Sequence, residues 1–307
     1  MSAKLLITVV GPTAIGKTKL AIALAQHYKT EILSADSRQF YKEMTIGTAV
    51  PSTEELKAIE HHFIQHKSIF ESYSVGDFEK EAISKLNQLF KNNDVAVMVG
   101  GSGLYVDAVV NGLDDFPKIA EEIREKLNVA LKAKGIKSLQ KTLKELDIEY
   151  YKKADIENPH RIIRALEICI GTGKPYSSFL NQKKKLRNFK TIYIGLQAER
   201  ELIYERINKR VDLMIKEGLL QEAEQLYSHR DLNALQTVGY KELFDFIDNK
   251  WTLDIAIEEI KKNTRRFAKR QLTWYRKNIN IFWVDFDAEQ SQILDSFDKH
   301  LKSVLNG

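Results

Sequence analysis

One cysteine, Cys169, stands in 307 residues. That excludes an intrachain disulfide and a cysteine-based zinc site. Its run, Leu166-Glu167-Ile168-Cys169-Ile170, reads as the core side of a helix. Long apolar runs are also missing, since none approaches the ~20 residues that a membrane span needs. No leader is expected, because Met1-Ser2-Ala3-Lys4 passes directly into the apolar run Leu5 to Val10. These absences predict a cytoplasmic protein. No heptad or exposed apolar stripe argues for assembly, so a monomer is expected. Apolar residues at 43% and charged residues at 29% allow a sizeable core, and the net charge of +5 is mild.

What is present begins with Gly11-Pro12-Thr13-Ala14-Ile15-Gly16-Lys17-Thr18, which fits the phosphate-loop pattern Gly-x4-Gly-Lys-Ser/Thr. It lies between a strand-like run and the helix-forming stretch Lys19 to Ala25, the context the motif requires. Gly11 and Gly16 let the backbone close around an anion, with N–H groups and a helix N-terminus facing it. Lys17 adds a point charge, and the Thr18 hydroxyl is placed to ligate Mg2+. Glu31 to Ala35 then ends in Asp36-Ser37-Arg38-Gln39-Phe40-Tyr41. Beyond a parallel strand, polar residues point into the ligand crevice. Asp36 is thus a candidate base or Mg2+ partner, or else a helix cap. Adjacent His61 and His62 do not face one site, and no further ligand at useful spacing supports a metal there. Asp94 to Val99 is a buried strand running into Gly100-Gly101-Ser102-Gly103-Leu104-Tyr105, a second glycine turn in which the Ser102 hydroxyl could meet a substrate.

Strand-like alternation is absent from Leu113 to Asn188, where Glu121–Lys134, Ser138–Leu146 and Asn158–Ile170 read as helices. Residues 1–112 and 189–307 are therefore expected to form an α/β core with C-terminal helices, a parallel sheet flanked by helices. Residues 113–188 are expected to be an all-helical insertion. Within it, Arg161 and Arg164 share a helix face, and Gln182 to Arg187 is a basic run. After the strand Thr191 to Leu196, Arg206 and Arg210 are spaced i, i+4 on a helical stretch broken near Gly218. Either arginine suits neutralisation of a transferred group's charge. The segment Lys261 to Lys277 carries eight basic residues and no acid. Lys262, Arg265, Lys269 and Arg276 approximate one face, with Phe267, Leu272 and Trp274 interleaved, a pattern suited to a phosphate backbone. Ile279 to Phe286 closes as a last strand.

In order along the chain, these motifs resemble the tRNA dimethylallyltransferase family. They are Gly-Pro-Thr-Ala-Ile-Gly-Lys-Thr at 11–18, Asp-Ser-Arg-Gln-Phe-Tyr at 36–41, His-His-Phe at 61–63, Tyr-Ser-Val-Gly-Asp-Phe at 73–78 and Gly-Gly-Ser-Gly-Leu-Tyr at 100–105. The series continues with Arg-Ile-Ile-Arg-Ala-Leu-Glu at 161–167, Thr-Gly-Lys-Pro at 172–175, Gly-Tyr-Lys-Glu at 239–242 and Lys-Arg-Gln-Leu-Thr-Trp at 269–274. Ser102 stands where Thr is common, and His160 where a longer polar or basic residue is usual.

The resemblance implies a P-loop NTPase-like fold whose loop holds the diphosphate of dimethylallyl diphosphate, not ATP. It implies transfer of the dimethylallyl group to N6 of the adenosine 3′ of the anticodon, in tRNAs reading codons that begin with U. It also places tRNA contacts at Asp36, Ser37, Arg38, Gln39, Ser102, Arg124, His160, Arg161, Ile162, Ile163 and Arg164, with the insertion clamping the anticodon stem-loop. An exocyclic amine is a poor nucleophile, so Asp36 is the candidate general base. Lys17, Thr18 with Mg2+, and Arg210 are candidates to stabilise the leaving diphosphate. From the phosphate loop alone, the rivals are a small-molecule kinase and a nucleic-acid-dependent NTPase. The first needs neither the insertion nor the basic helix. The second wants an acid where Val95–Val99 meets Gly100.

Overall fold

The strand β1 (Leu5–Val10) is buried along its whole length, as a central parallel strand covered on both faces must be. The computed structural model describes residues 4–180 and 186–306. Around β1 it assembles β2 (Ile32–Ser34), β3 (His61–His62), β4 (Val95–Val99), β5 (Lys190–Gln197) and β6 (Ile281–Asp285) into one parallel sheet of order β3-β2-β4-β1-β5-β6. The period of two along each strand sorts its side chains between two cores. Leu5, Ile7 and Val9 pack with Leu20 and Leu24 of α1 (Lys17–His27) and with Phe297 and Leu301 near the C-terminus. Leu6, Ala96 and Met98 pack with Phe78 and Leu86 of α3 (Val75–Leu89) and with Val106 of α4 (Gly103–Asn111).

Two helix starts are closed by reciprocal capping. Ser52 and Glu55 cap α2 (Thr53–Ala58), and Ser74 and Asp77 cap α3. By contrast, α1 starts at Gly16 with no side-chain cap and no acid in its first turn, so its leading N–H groups stay available to an anion.

The chain divides into two compact units, residues Met1–Asn111 with Arg187–Gly307, and Gly112–Leu186. The second is helical: α5 (Glu121–Lys134), α6 (Ile136–Leu146), α7 (Ile148–Lys153) and α8 (Pro159–Thr172) surround Leu127, Leu139, Leu143, Ile162, Ile163 and Leu166. Cys169 is buried, as its helical setting predicts, and its Sγ accepts the Tyr176 N–H at 3.3 Å. The basic run read at Gln182 to Arg187 lies mostly outside the described residues. Arg187 itself is half-buried and bonds Glu79 and the Ala108 carbonyl, both at 2.8 Å.

After β5 the first unit continues with α9 (Arg200–Lys216), α10 (Leu219–Leu226), α11 (Tyr240–Ile247), α12 (Leu253–Tyr275) and α13 (Gln290–Asn306). The break near Gly218 is real, with φ of 105° at that residue. The last strand is shorter than Ile279–Phe286, and α7, α13 and the two-residue β3 are additions to the sequence reading. Among the described residues, no helix is long and apolar enough to cross a membrane.

Glu222 of α10 fastens the loop after β2. It accepts the N–H groups of Thr45, Ile46 and Gly47 at 2.8–3.0 Å and the buried Tyr240 hydroxyl at 2.6 Å. Replacing it leaves four donors without this acceptor. Glu222→Ala is expected to lower stability by about 2–3 kcal/mol in urea unfolding. A loss under about 0.5 kcal/mol would mean that water satisfies the loop equally well.

Candidate active site

The phosphate loop leaves β1 at Gly11, whose φ is 142°. A Cβ there would stand 2.8 Å from the Leu196 carbonyl oxygen of β5, so the position requires glycine. Ala14 and Gly16 also take positive φ, 64° and 109°. This alternation turns successive N–H groups toward one point, an anion nest at the open start of α1. The outside of the loop is held by Arg206 of α9, whose Nε donates to the Ala14 carbonyl at 2.8 Å and whose guanidinium lies 5.0 Å from the Phe286 ring centre.

Lys17 is half-buried, and its Nζ donates to the Pro12 carbonyl at 2.8 Å. Burial pulls its pKa down to about 8. Asp36 works in the opposite direction, and Arg210 adds to the lowering. Arg210 is itself pulled below the ordinary arginine range, by burial first and by Arg206 second. The fold has therefore gathered Lys17, Arg210 and Asp36 from three distant parts of the chain within electrostatic reach. Of the i, i+4 pair, Arg206 is committed to the loop backbone, while Arg210 lines the adjoining cleft of about 600 Å3.

The cleft's other wall carries the turn after β2. Asp36 Oδ1 accepts the Arg38 N–H at 3.1 Å, which is a local Asx turn. Ser102, from the glycine turn after β4, accepts the Ser37 N–H at 3.2 Å, and the two serine hydroxyls are 3.2 Å apart. Asp36, Ser37, Arg38, Ser102 and Thr13 all line the cleft. Arg38 and Gln39 already have internal partners. Arg38 donates to the Asn233 and Ala234 carbonyls at 3.0 Å, and Gln39 to those of Thr48 and Ala49 at 3.2 and 2.9 Å.

Sequence reasoning missed part of the lining. The turn Gln236 to Gly239, Lys241, Asn263 and Arg270 all face the cleft. Glu242, in the Gly-Tyr-Lys-Glu motif, is buried and accepts the Gly239 N–H and the Asn263 side-chain amide, both at 2.8 Å. Its burial at a sequence-charged position is a tertiary effect without a local signal. On the far side of α12 a second cleft, about 660 Å3, is lined by Arg200, Lys269 and Arg276 among others. Arg265 donates to Asn208 at 2.7 Å and lies 5.9 Å from the Tyr204 ring centre.

In the helical unit, His160 and Arg161 are exposed at the start of α8. Ile162 and Ile163 are 0% and 3% exposed. Their side chains build the core of this unit and are not presented for contact, contrary to their inclusion among the tRNA-facing positions. Arg164 and Arg124 converge on the buried Glu167 at 3.1 and 3.6 Å, and Arg164 also lies 5.2 Å from the Phe116 ring centre. At the sheet edge His62 Nε2 meets Glu31 at 2.5 Å and Glu60 at 3.7 Å, while His61 turns to its own backbone at Ile59. Lys85, 3.4 Å from Glu31, already supplies positive charge to that carboxylate.

The depressed Lys17 pKa carries a pH signature. Below about 8 the ammonium is already charged and meets an incoming polyanion directly. Above it, binding must first recapture a proton, so affinity falls as pH rises. Calorimetry with inorganic diphosphate is expected to show proton uptake growing from pH 7 to 9. The Lys17→Arg variant, charged throughout, supplies the profile of the ligand's own ionisation for subtraction. Equal uptake by both proteins would place the Lys17 pKa elsewhere.

Comparison with known proteins fits this geometry. The IPP transferase family model matches residues 39–278. The chain is 64% identical over 301 residues to the tRNA dimethylallyltransferase of Christiangramia forsetii, covering 98% of each. It is 47% identical over 297 residues to tRNA dimethylallyltransferase 1 of Bacteroides fragilis, covering 97% of this chain and 98% of the other. The full-length tRNA isopentenylpyrophosphate transferase of Bacillus halodurans superposes with a TM-score of 0.73 at 37% identity, over 99% of this chain and 97% of that one. A eukaryotic dimethylallyltransferase solved acting on tRNA gives 0.82 at 28% identity, over 98% and 80%. Over nearly its full length, phosphate loop included, the chain belongs to the IPP transferase family of tRNA dimethylallyltransferases.

Proposed function

We propose that the enzyme moves the dimethylallyl group of dimethylallyl diphosphate to N6 of the adenosine on the 3′ side of the anticodon, in tRNAs reading codons that begin with U. The observation that carries this reading is the cleft itself. A half-buried cationic pair, Lys17 and Arg210, stands beside the anion nest, and the Asp36 carboxylate faces the same space.

The N6 lone pair attacks the allylic C1 as the C1–O bond breaks, and diphosphate departs with the bonding electrons. Asp36 takes the N6 proton. Lys17, Arg210 and the loop N–H groups meet the charge that grows on the leaving oxygen, where low dielectric strengthens each interaction. The adenine leaves the anticodon stack at a cost of a few kcal/mol, which contacts elsewhere on the tRNA offset. His160 and Arg161, exposed on the helical unit, and Lys269 on the core are the side chains we assign to those contacts.

The donor chemistry fits Mg2+. The loop carries the Thr18 hydroxyl at the start of α1, a hard oxygen ligand of the kind this ion takes. Thr18 would hold it, and bound Mg2+ would supply further charge to the diphosphate oxygens. A nucleic-acid-dependent NTPase would want an acid directly after β4, where the chain carries Gly100 and Gly101.

Asp36→Asn preserves the acceptor for the Arg38 N–H and removes the base together with the negative charge that acts on Lys17. Its prenyl transfer to unmodified tRNA, read by nucleoside mass spectrometry, is expected to fall by about 10^2–10^4 with tRNA affinity unchanged. Near wild-type turnover would remove Asp36 from the proton transfer. On α12 the two basic positions separate. Lys269→Ala should lower the slope of log affinity against log salt by about 0.7–0.9. Arg265→Ala should instead lower the melting temperature and leave that slope alone, since its guanidinium holds Asn208 and Tyr204. The reverse pattern would exchange their roles.

A further inference from the structure

Gln271 lies on α12, 5% exposed, between the phosphate loop and the glycine turn after β4. Its Oε1 accepts the Thr13 N–H at 2.8 Å, and its Nε2 donates to the Gly101 carbonyl at 3.0 Å. One helical turn on, the Tyr275 hydroxyl donates to the Gly100 carbonyl at 3.3 Å, so the same helix face grips both residues of the turn. There is no slack around the amide. A Cβ added to Gly101 would lie 2.1 Å from Gln271 Nε2, with Lys17 Nζ 3.8 Å away.

The Thr13 N–H and the Pro12 C=O belong to one planar peptide, so fixing either end fixes both. Gln271 holds the N–H end, and Lys17 Nζ holds the C=O end at 2.8 Å. The amide's second bond steadies the turn that presents Ser102, on which Ser37 and the Asp36 turn rest. We propose that Gln271 is a positioning residue that sets the Lys17 ammonium through the Pro12–Thr13 peptide and, through Gly101, ties it to the Asp36 side of the cleft. This rests on the reading that the loop receives the donor's diphosphate. The position requires a group that accepts at one end and donates at the other. A neutral carboxylic acid does both. A carboxylate does not, because it turns a lone pair on the Gly101 carbonyl and offers Lys17 a competing anion. Methionine does neither.

The test compares wild type, Gln271→Met and Gln271→Glu in prenyl transfer across pH, with folding followed by circular dichroism. Gln271→Met is expected to lower kcat about tenfold with the KM for tRNA unchanged. Gln271→Glu is expected to approach wild type at the acid end, where the introduced carboxyl is protonated, and to lose about tenfold in kcat as it ionises, over a range where wild type shows no such fall. Should either variant unfold, calorimetry on the other against inorganic diphosphate reads the loop directly, as a several-fold loss of diphosphate affinity against wild type. Overturning results are a wild-type pH profile for Gln271→Glu, equal loss by both variants at every pH, or wild-type kcat and diphosphate affinity in Gln271→Met. Failure of wild type to prenylate tRNA would sink the reaction assigned above. The diphosphate calorimetry would still decide the role of Gln271.

Discussion

Like charges forced together out of water are the constraint on which this structure depends. A diphosphate needs several positive groups around it, and those groups must exist before it arrives. Burying Lys17 beside Arg210, with Arg206 one helical turn away, costs desolvation and mutual repulsion. The structure shows that cost in the Lys17 pKa, drawn down to about 8, and in the lowered Arg210. It is contained by aligned acceptors rather than by pairing. The Pro12 carbonyl takes the ammonium directly, and Asp36 acts on it across the cleft. A carboxylate locked onto Lys17 would have quenched the charge the anion needs.

Holding repelling groups in place requires more scaffold than chemistry. Arg206 is spent on the Ala14 carbonyl, Arg38 on Asn233 and Ala234, and Gln39 on Thr48 and Ala49. Glu222 gathers three consecutive N–H groups of the loop that follows. Arg38 and Gln39 sit in a motif that names the family, and much of their bonding capacity goes to backbone. Motif membership marks a region under geometric constraint. Whether a side chain touches substrate or fixes one that does is decided by its partners.

Local features were legible in the sequence because their cause is local. The phosphate loop is eight consecutive residues, α5 begins and ends at the residues read from composition, and the break at Gly218 follows from a backbone only glycine adopts easily. What stayed hidden has a partner far along the chain. Gln271 bonds Thr13 across 258 positions, and Asn188, read as the end of the insertion, bonds Asn87 across 101. β3 is two residues long and exists only because β2 offers an edge. Ile162 and Ile163 were grouped with their charged neighbours by motif. Helical periodicity, applied residue by residue, assigns them to the core and leaves His160 and Arg161 outside.

The basic helix shows where window-based reasoning stops. Lys261 to Lys277 contains no acid, yet Lys261 pairs with Asp212 and Glu258 at 2.8 and 2.9 Å, and Lys262 with Glu259 at 2.6 Å. All three acids lie just outside the window or on α9. The charges that remain divide around the helix. Arg270 lines the first cleft, Lys269 and Arg276 line the second, and Ala268, Gln271 and Tyr275 form a buried face between them. Spacing of i, i+3, i+7 puts those three on one stripe. The helix is thus a partition. Its buried stripe packs into the core behind the first cleft, and its exposed charges lie on the faces to either side. That separation explains why one segment carries both the family's Lys-Arg-Gln-Leu-Thr-Trp motif and an excess of positive charge: adjacent residues on a helix point about 100° apart, so sequence neighbours serve different sides.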